Sequence, residues 1–261
     1  MKIFGALVVG RASVLLVLTV AAAAVLLASC ATAPKQAVSP SAPAPVADKG
    51  FFLWLDEKLP DSESHRVRMM VNNRYLRMDD GQANSDYVLF DRAEGVIYSV
   101  VHGDHSIQVM GGSKNTLTPL PAAPRWDETA EPSHVLMRSD TPNAVTAQHY
   151  TYSLNGAECY HVVTVEGLLP EVLAAWRAYK KTLAGALAQT YDPAIDGADG
   201  CRSAAEILAS QELIEHGFPL REWSTYGYSR FVQDYRWDVK LEPKLFELPA
   251  DYHRFQFGSA P

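Results

Sequence analysis

The sequence predicts a mainly β fold with a helical insertion. Its form is a curved antiparallel sheet or half-barrel of about eleven strands, with two helices against the concave side. Three observations carry that expectation. From Phe51 to Met110, apolar and polar residues alternate with period two between turn residues. From Pro170 the apolar residues recur at helical spacing instead. Strands and helices do not alternate as βαβ units, so a parallel doubly wound sheet is excluded. The 261 residues allow one or two domains at about 150 residues each. With 48% apolar and 10% aromatic residues, the chain has ample material for a core and is not globally disordered.

The first thirty residues address the chain. Lys2 and Arg11 are followed by the uncharged run Val14 to Leu27, which ends in Leu27-Ala28-Ser29-Cys30. A short apolar stretch behind basic residues, closing on small ones, reads as a secretory signal over residues 1–29. An uncleaved anchor is the alternative, because Ala12 to Ser29 approaches the ~20 residues that span a bilayer. Leu27 to Cys30 resembles the lipobox of bacterial lipoproteins. That resemblance implies acylation of Cys30, contact with the lipoprotein processing and sorting machinery and, with Ala31 rather than Asp following, residence in the outer membrane. At about 0.8 kcal/mol per buried methylene, three acyl chains make a stable anchor. Residues 30–50 hold Pro34, Pro40, Pro43 and Pro45 among Ala, Ser and Val, which makes them a tether with no apolar face. Before Cys30 there are two bases and no acid. From Cys30 onward acids therefore exceed bases by 30 to 21, a charge of −9 that excludes a broad grip on nucleic acid or anionic headgroups.

The folded domain is expected over residues 51–257, with a short tail at 258–261. Strands are expected at Phe51–Lys58 and His65–Val71, the second with Val67, Met69 and Val71 on one face and Arg66 and Arg68 on the other. Leu76 and Met78 carry that apolar face onward, and Asp86–Asp91, Gly95–His102 and His105–Met110 follow as hairpin strands. Gly111 to Pro132 breaks the rhythm with four prolines, yet carries Leu117, Leu120 and Trp126, and reads as a long loop. Strands resume at Ala144–Leu154 and Glu158–Val165 around Asn155-Gly156, a strong hairpin signal. Pro170 is placed as a first helical residue, with Val172, Leu173, Trp176, Leu183 and Leu187 forming the buried stripe up to about Thr190. Ser203 and Glu206 have capping-box spacing and predict a second helix closed by Gly217. The last strands are Leu220–Tyr226, Ser229–Leu241 and Tyr252–Phe257. In the middle one, Phe231, Tyr235, Trp237, Val239 and Leu241 are expected on a single face.

Three segments carry a wider resemblance: Tyr75-Leu76-Arg77-Met78-Asp79-Asp80-Gly81, Val88-Leu89-Phe90-Asp91-Arg92, and Leu245-Phe246-Glu247-Leu248-Pro249 with Tyr252. On these the chain resembles a bacterial half-barrel family similar to the lipoprotein carriers LolA and LolB. The resemblance implies a sheet curled around helices and an apolar ligand such as a lipid or acyl chain. Residue patterns add that β-strands with Val88 and Phe90 opposite Tyr87 and Leu89 are apolar on both faces, which suits a curved sheet with helices or a ligand inside it. Candidate lining residues are Phe231, Tyr235, Trp237, Val88 and Phe90.

The chemistry of the remaining residues is sparse. With Cys30 assigned to lipid, Cys159 and Cys201 form an even pair in an oxidising compartment and are expected to be disulfide-bonded, two buried free thiols being the alternative. Closing that loop stabilises by roughly 4 kcal/mol on the chain-entropy argument. His102 and His105 bracket a tight turn but lack further ligands, so no metal is assigned. No nucleophile elbow, zinc-protease, phosphate-loop or dinucleotide motif is present, and no cofactor is implied. The leading expectation is a non-enzymatic outer-membrane lipoprotein binding an apolar ligand. The alternative is an envelope accessory module whose concavity is filled by its own helices, and a hydrolase is the weaker third class. In the proline-rich loop, Leu117, Leu120 and Trp126 either fold back as a plug or stand at the rim to meet a membrane or partner, and the rim is favoured.

Overall fold

The period-two segments become the strands of one sheet in a computed structural model, which describes residues 49–111, 123–134, 146–192 and 200–258. Cys30, the signal segment, the tether up to residue 48, Leu117 and Leu120 lie outside the described residues, and residues 49 and 50 of the expected tether belong to the first strand. In chain order the strands are β1 (Lys49–Lys58), β2 (His65–Val71), β3 (Tyr75–Asp79), β4 (Tyr87–Asp91), β5 (Val96–Val101) and β6 (Ser106–Gly111). Then come β7 (Asp127–Ser133), β8 (Ala147–Leu154), β9 (Ala157–Thr164), β10 (Pro219–Ser224), β11 (Ser229–Lys240) and β12 (His253–Gln256). They form a twelve-stranded open sheet in the order β12-β6-β5-β4-β3-β2-β1-β11-β10-β9-β8-β7. The β8–β9 turn is the expected Asn155-Gly156 hairpin, and both residues have positive φ, 54° and 78°.

Helix α1 (Pro170–Leu187) starts on its proline and buries Val172, Ala175, Trp176 and Tyr179. These pack on Leu53, Leu55, Leu76, Val88, Phe90 and Ile97 of the sheet's inner face. At about 1.5–3 kcal/mol for each fully buried large apolar side chain, this face is the main source of stability. The opposite face of β2 and β4–β6 buries Met70, Tyr87, Leu89, Val100 and Ile107 beneath Leu241 and Phe246, with Leu245, Leu248 and Tyr252 packed around them. All five residues of β4 are buried as a result. The expected two-sided burial is present, and the chain's own C-terminal segment supplies the second cover.

Four expectations are corrected. The sheet has one more strand, because β7 lies inside what reads as a loop. It is an edge strand whose residues are nearly all exposed, so it shows no apolar alternation, and its acids and Pro132 suit an unpaired edge. The sheet is also not wholly antiparallel: β12 runs parallel to β6, since residues 241–252 cross the outer face to the far edge. The second helix does not begin at a capping box. Helix α2 (Gly200–Ser203) precedes a π-helical turn at Ala204–Leu208 and a 3-10 turn at Glu212–Ile214, and Ser203 makes no side-chain capping bond. Finally, β11 does not keep one face. Register shifts against β1 between Trp54 and Leu55, and between Gly50 and Phe52, insert bulges. Tyr235 therefore joins the inner core, whereas Val239 and Leu241 join the outer one.

Candidate functional site

Three neighbouring strands set Glu57, Arg230 and Glu222 in a row. Arg230 of β11 is in register with Glu57 of β1 on one side and Glu222 of β10 on the other. Directly opposed residues share a face, and strand spacing places the two acidic residues' backbones about 10 Å apart with the arginine between them. The row faces α1. The Arg230 guanidinium carbon lies 4.1 Å from the centroid of the Trp176 ring and 5.9 Å from that of Phe218.

Glu222 has three partners. Its Oε1 lies 2.7 Å from Arg230 Nη2 and accepts from the Tyr228 hydroxyl at 2.8 Å, while Oε2 accepts from the Tyr160 hydroxyl at 3.1 Å. Arg230 is only 2% exposed, yet its Nε and Nη1, like Trp176 Nε1, have no acceptor among the described residues. Glu57 and His65 are cross-strand partners at the hairpin end of β1 and β2, with Oε2 and Nε2 3.7 Å apart.

Burial dominates the electrostatics. It raises the pKa of Glu57 against the pull of Arg230 and His65, and lowers that of Lys180 on α1 against Glu222. For Arg230, burial alone would favour the neutral form, but Glu222, Tyr228 and Glu57 outweigh it and the guanidinium pKa is raised. The Tyr160 and Tyr228 hydroxyls are pushed well up, first by burial and then by Glu222, which keeps them donors. The arrangement can hold one fixed ion pair and present unpaired N–H donors beside it. Sequence reading missed this row. Its only trace is one more charged residue in each of β1, β10 and β11, and charged residues in such strands look solvent-facing.

A second polar cluster joins β7, β8, β9 and β10. His149 Nε2 and His161 Nδ1 are 3.2 Å apart, and their outer nitrogens meet Glu131 and Glu158, each at 3.0 Å. The Trp223 ring lies nearly parallel to that of His161, centroids 4.7 Å apart. The His161 pKa is lowered, by burial first and with help from His149, against Glu158. Among the described residues, no three His, Cys, Asp or Glu gather as metal ligands. His102 instead meets the Tyr252 hydroxyl through Nδ1 at 2.6 Å, and His105 stacks on the same ring.

The residues expected to line a cavity are dispersed. Val88 and Phe90 are buried beneath α1, where Phe90 meets the Tyr179 ring edge-on. Tyr235 is core and Trp237 is 38% exposed. Half-buried Phe231 pairs with Asp56 and Arg221, in register positions that alternate away from Arg230. The physical reason is the β11 bulge, which breaks the expected stripe. Two open clefts are formed elsewhere. One of about 550 Å³ is lined by Gln148, Tyr150, Thr164, Glu215 and His216, and one of about 360 Å³ by Phe51, Asn72, Arg92 and Glu171 among others. None of the five residues lines either.

Trp126 contradicts the rim expectation for its own position. It is buried against Tyr152, Ala204, Ala205 and Leu213, and its Nε1 donates to Ala209 O at 3.3 Å. An indole at the end of an irregular segment finds its partner in a neighbouring turn, which periodicity cannot reveal. Cys159 and Cys201 are bonded, with Cα atoms 5.3 Å apart, and tie β9 to α2.

No protein-family model and no curated protein matches the chain. Among solved structures it is similar to "Structure of PNGF-II in C2 space group", with a TM-score of 0.37 and 7% identity. That match covers 80% of this chain and 31% of the other, so this chain spans under a third of the protein it matches.

Proposed function

We propose that this chain is a non-enzymatic lipoprotein, held at the periplasmic face of the outer membrane by an acylated Cys30, whose folded domain acts as an envelope interaction module. The observation that supports this reading is the occupancy of the sheet's inner face: Val172, Ala175, Trp176 and Tyr179 of α1 fill the space over Leu76, Val88 and Phe90. A face closed by close-packed side chains has no room for a long apolar ligand. Module and membrane are joined by the tether of residues 30–50, and the binding surface is the exterior. Native mass spectrometry with lipid extraction of the exported, non-acylated chain is the test. Protein free of lipid supports this reading. Near-stoichiometric lipid overturns it in favour of the second one, a carrier of a lipid or acyl chain. One observation favours that second reading, namely a buried arginine with unmet donors inside an otherwise apolar face.

A further inference from the structure

Around Arg230 the hydrogen-bond donors outnumber the acceptors. A guanidinium carries five N–H groups and an indole one, and neither can accept. Both oxygens of Glu222 are already engaged by Tyr160, Tyr228 and Arg230 Nη2. Among the described residues, the Nε and Nη1 groups of Arg230 and the indole Nε1 of Trp176 remain without an acceptor, although both residues are more than nine-tenths buried. The guanidinium lies 4.1 Å from the indole centroid, so these donors serve one small region. Buried polar groups in native proteins are almost always paired, which makes several unmet donors in one place informative.

We propose that Arg230 and Trp176 form a recognition site for the carboxylate of a small organic acid beneath α1. Nη2 carries a second N–H, so a planar two-oxygen acceptor can pair it with Nε or Nη1 on the guanidinium edge that Glu222 leaves free, and a further N–H from the indole fixes its position. Charge balance allows one such anion. Glu222 and Arg230 cancel, and Lys180 on α1 supplies a further positive charge when protonated. Glu57 is faced by Arg230, His65, Glu222 and Lys180, with Tyr179 and Tyr228 coupled to it, and burial already favours its neutral form. A bound carboxylate adds negative charge to that set and favours the neutral form of Glu57 further. Entry is by the hairpin end of β1 and β2, where the Glu57 and His65 side chains are 19% and 16% exposed.

The site stands apart from the interaction reading, whose test is the lipid content of the purified protein. The experiment here titrates the exported, non-acylated chain with acetate, dodecanoate and dodecanol, following the indole N–H resonances by NMR. Trp176→Phe identifies the Trp176 signal. Acetate is expected to move that signal, dodecanol to leave it in place, and Trp176→Phe, which lacks the reporter and is titrated by calorimetry, to weaken acetate binding about tenfold, the effect of one lost bond to a charged group. Similar affinities for both acids assign the site to free small acids. A dodecanoate preference of a hundredfold or more assigns it to the acid head of an acyl chain. The proposal is overturned if neither acid moves the Trp176 signal, if dodecanol moves it equally, or if Trp176→Phe, folded and as stable as the parent, binds acetate and dodecanoate unchanged.

Discussion

Removing the charge of Glu222 should be the most damaging conservative change in the molecule. In Glu222→Gln the side chain keeps its shape, but Arg230 loses the only carboxylate within 4.0 Å of its guanidinium among the described residues. The amide also brings N–H groups to face the Tyr160 or Tyr228 hydroxyl, each of which now donates to a carboxylate oxygen. Breaking a buried ion pair on one side costs about 3–5 kcal/mol, because the surviving charge is left uncompensated. At roughly 2–4 °C per kcal/mol for a domain of this size, the melting temperature should fall by about 10 °C. Urea unfolding followed by tryptophan fluorescence, with the disulfide intact, would show a lower midpoint at unchanged slope. The double change Glu222→Gln with Arg230→Met should recover most of the loss, since it removes both charges and leaves an apolar side chain against Trp176 and Phe218. A single-variant loss below about 1 kcal/mol would mean that Arg230 is not charge-dependent on Glu222. A double variant as unstable as the sum of the two singles would show that the residues are uncoupled, and either result refutes the reasoning.

Four other outcomes follow from the same structure. Trp126→Ala should destabilise by about 3–5 kcal/mol in urea, as truncation of a buried aromatic does, whereas a rim residue would cost almost nothing. Replacing Cys159 and Cys201 by Ser should lower stability by about 4 kcal/mol on the chain-entropy argument, and alkylation of the non-reduced, denatured parent should find neither thiol free. For His161 the folded-state pKa lies below the unfolded value of about 6.5, so its contribution is present above that pH and is lost as pH falls through the folded pKa; urea midpoints should drop on acidification, and His161→Gln should flatten that fall. Cys30→Ser should abolish incorporation of radiolabelled fatty acid, and label retained in that variant removes Cys30 as the lipid site.

The strands were legible because β2 repeats a period of two, as Val67, Met69 and Val71 show, and because the short apolar runs of β1 and β4 are bounded by polar turns. The segments that carried the family resemblance were legible for a structural reason: they hold one another. Arg68 and Arg77 both grip the fully buried carboxylate of Asp79, Arg77 also donates to Leu245 O, Tyr87 donates to Glu247 O, and Tyr75 stacks on Phe246. They fasten residues 241–252 to the outer face. Illegible features all depend on distant partners. The β11 bulges arise from pairing with β1, which is some 180 residues away in the chain and cannot be counted from local alternation. The edge strand β7 has no apolar face to announce it. Ser203 and Glu206 have the spacing of a cap but sit within a helical turn that begins at Gly200, next to the bonded Cys201. The Glu57–Arg230–Glu222 row needs three strands in register, and no single strand records it.

The central claim is that α1 closes the inner face as part of the core rather than as a movable cover. Amide hydrogen exchange of residues 173–180, measured with and without added phospholipid vesicles, tests it most directly. Elements that open locally exchange far faster than core strands. The account predicts that these amides are protected to the same degree as those of β2 and β4, and that lipid leaves them unchanged. Exchange in α1 many-fold faster than in those strands, or a change in α1 alone when lipid is added, would contradict it and make the helix a gate.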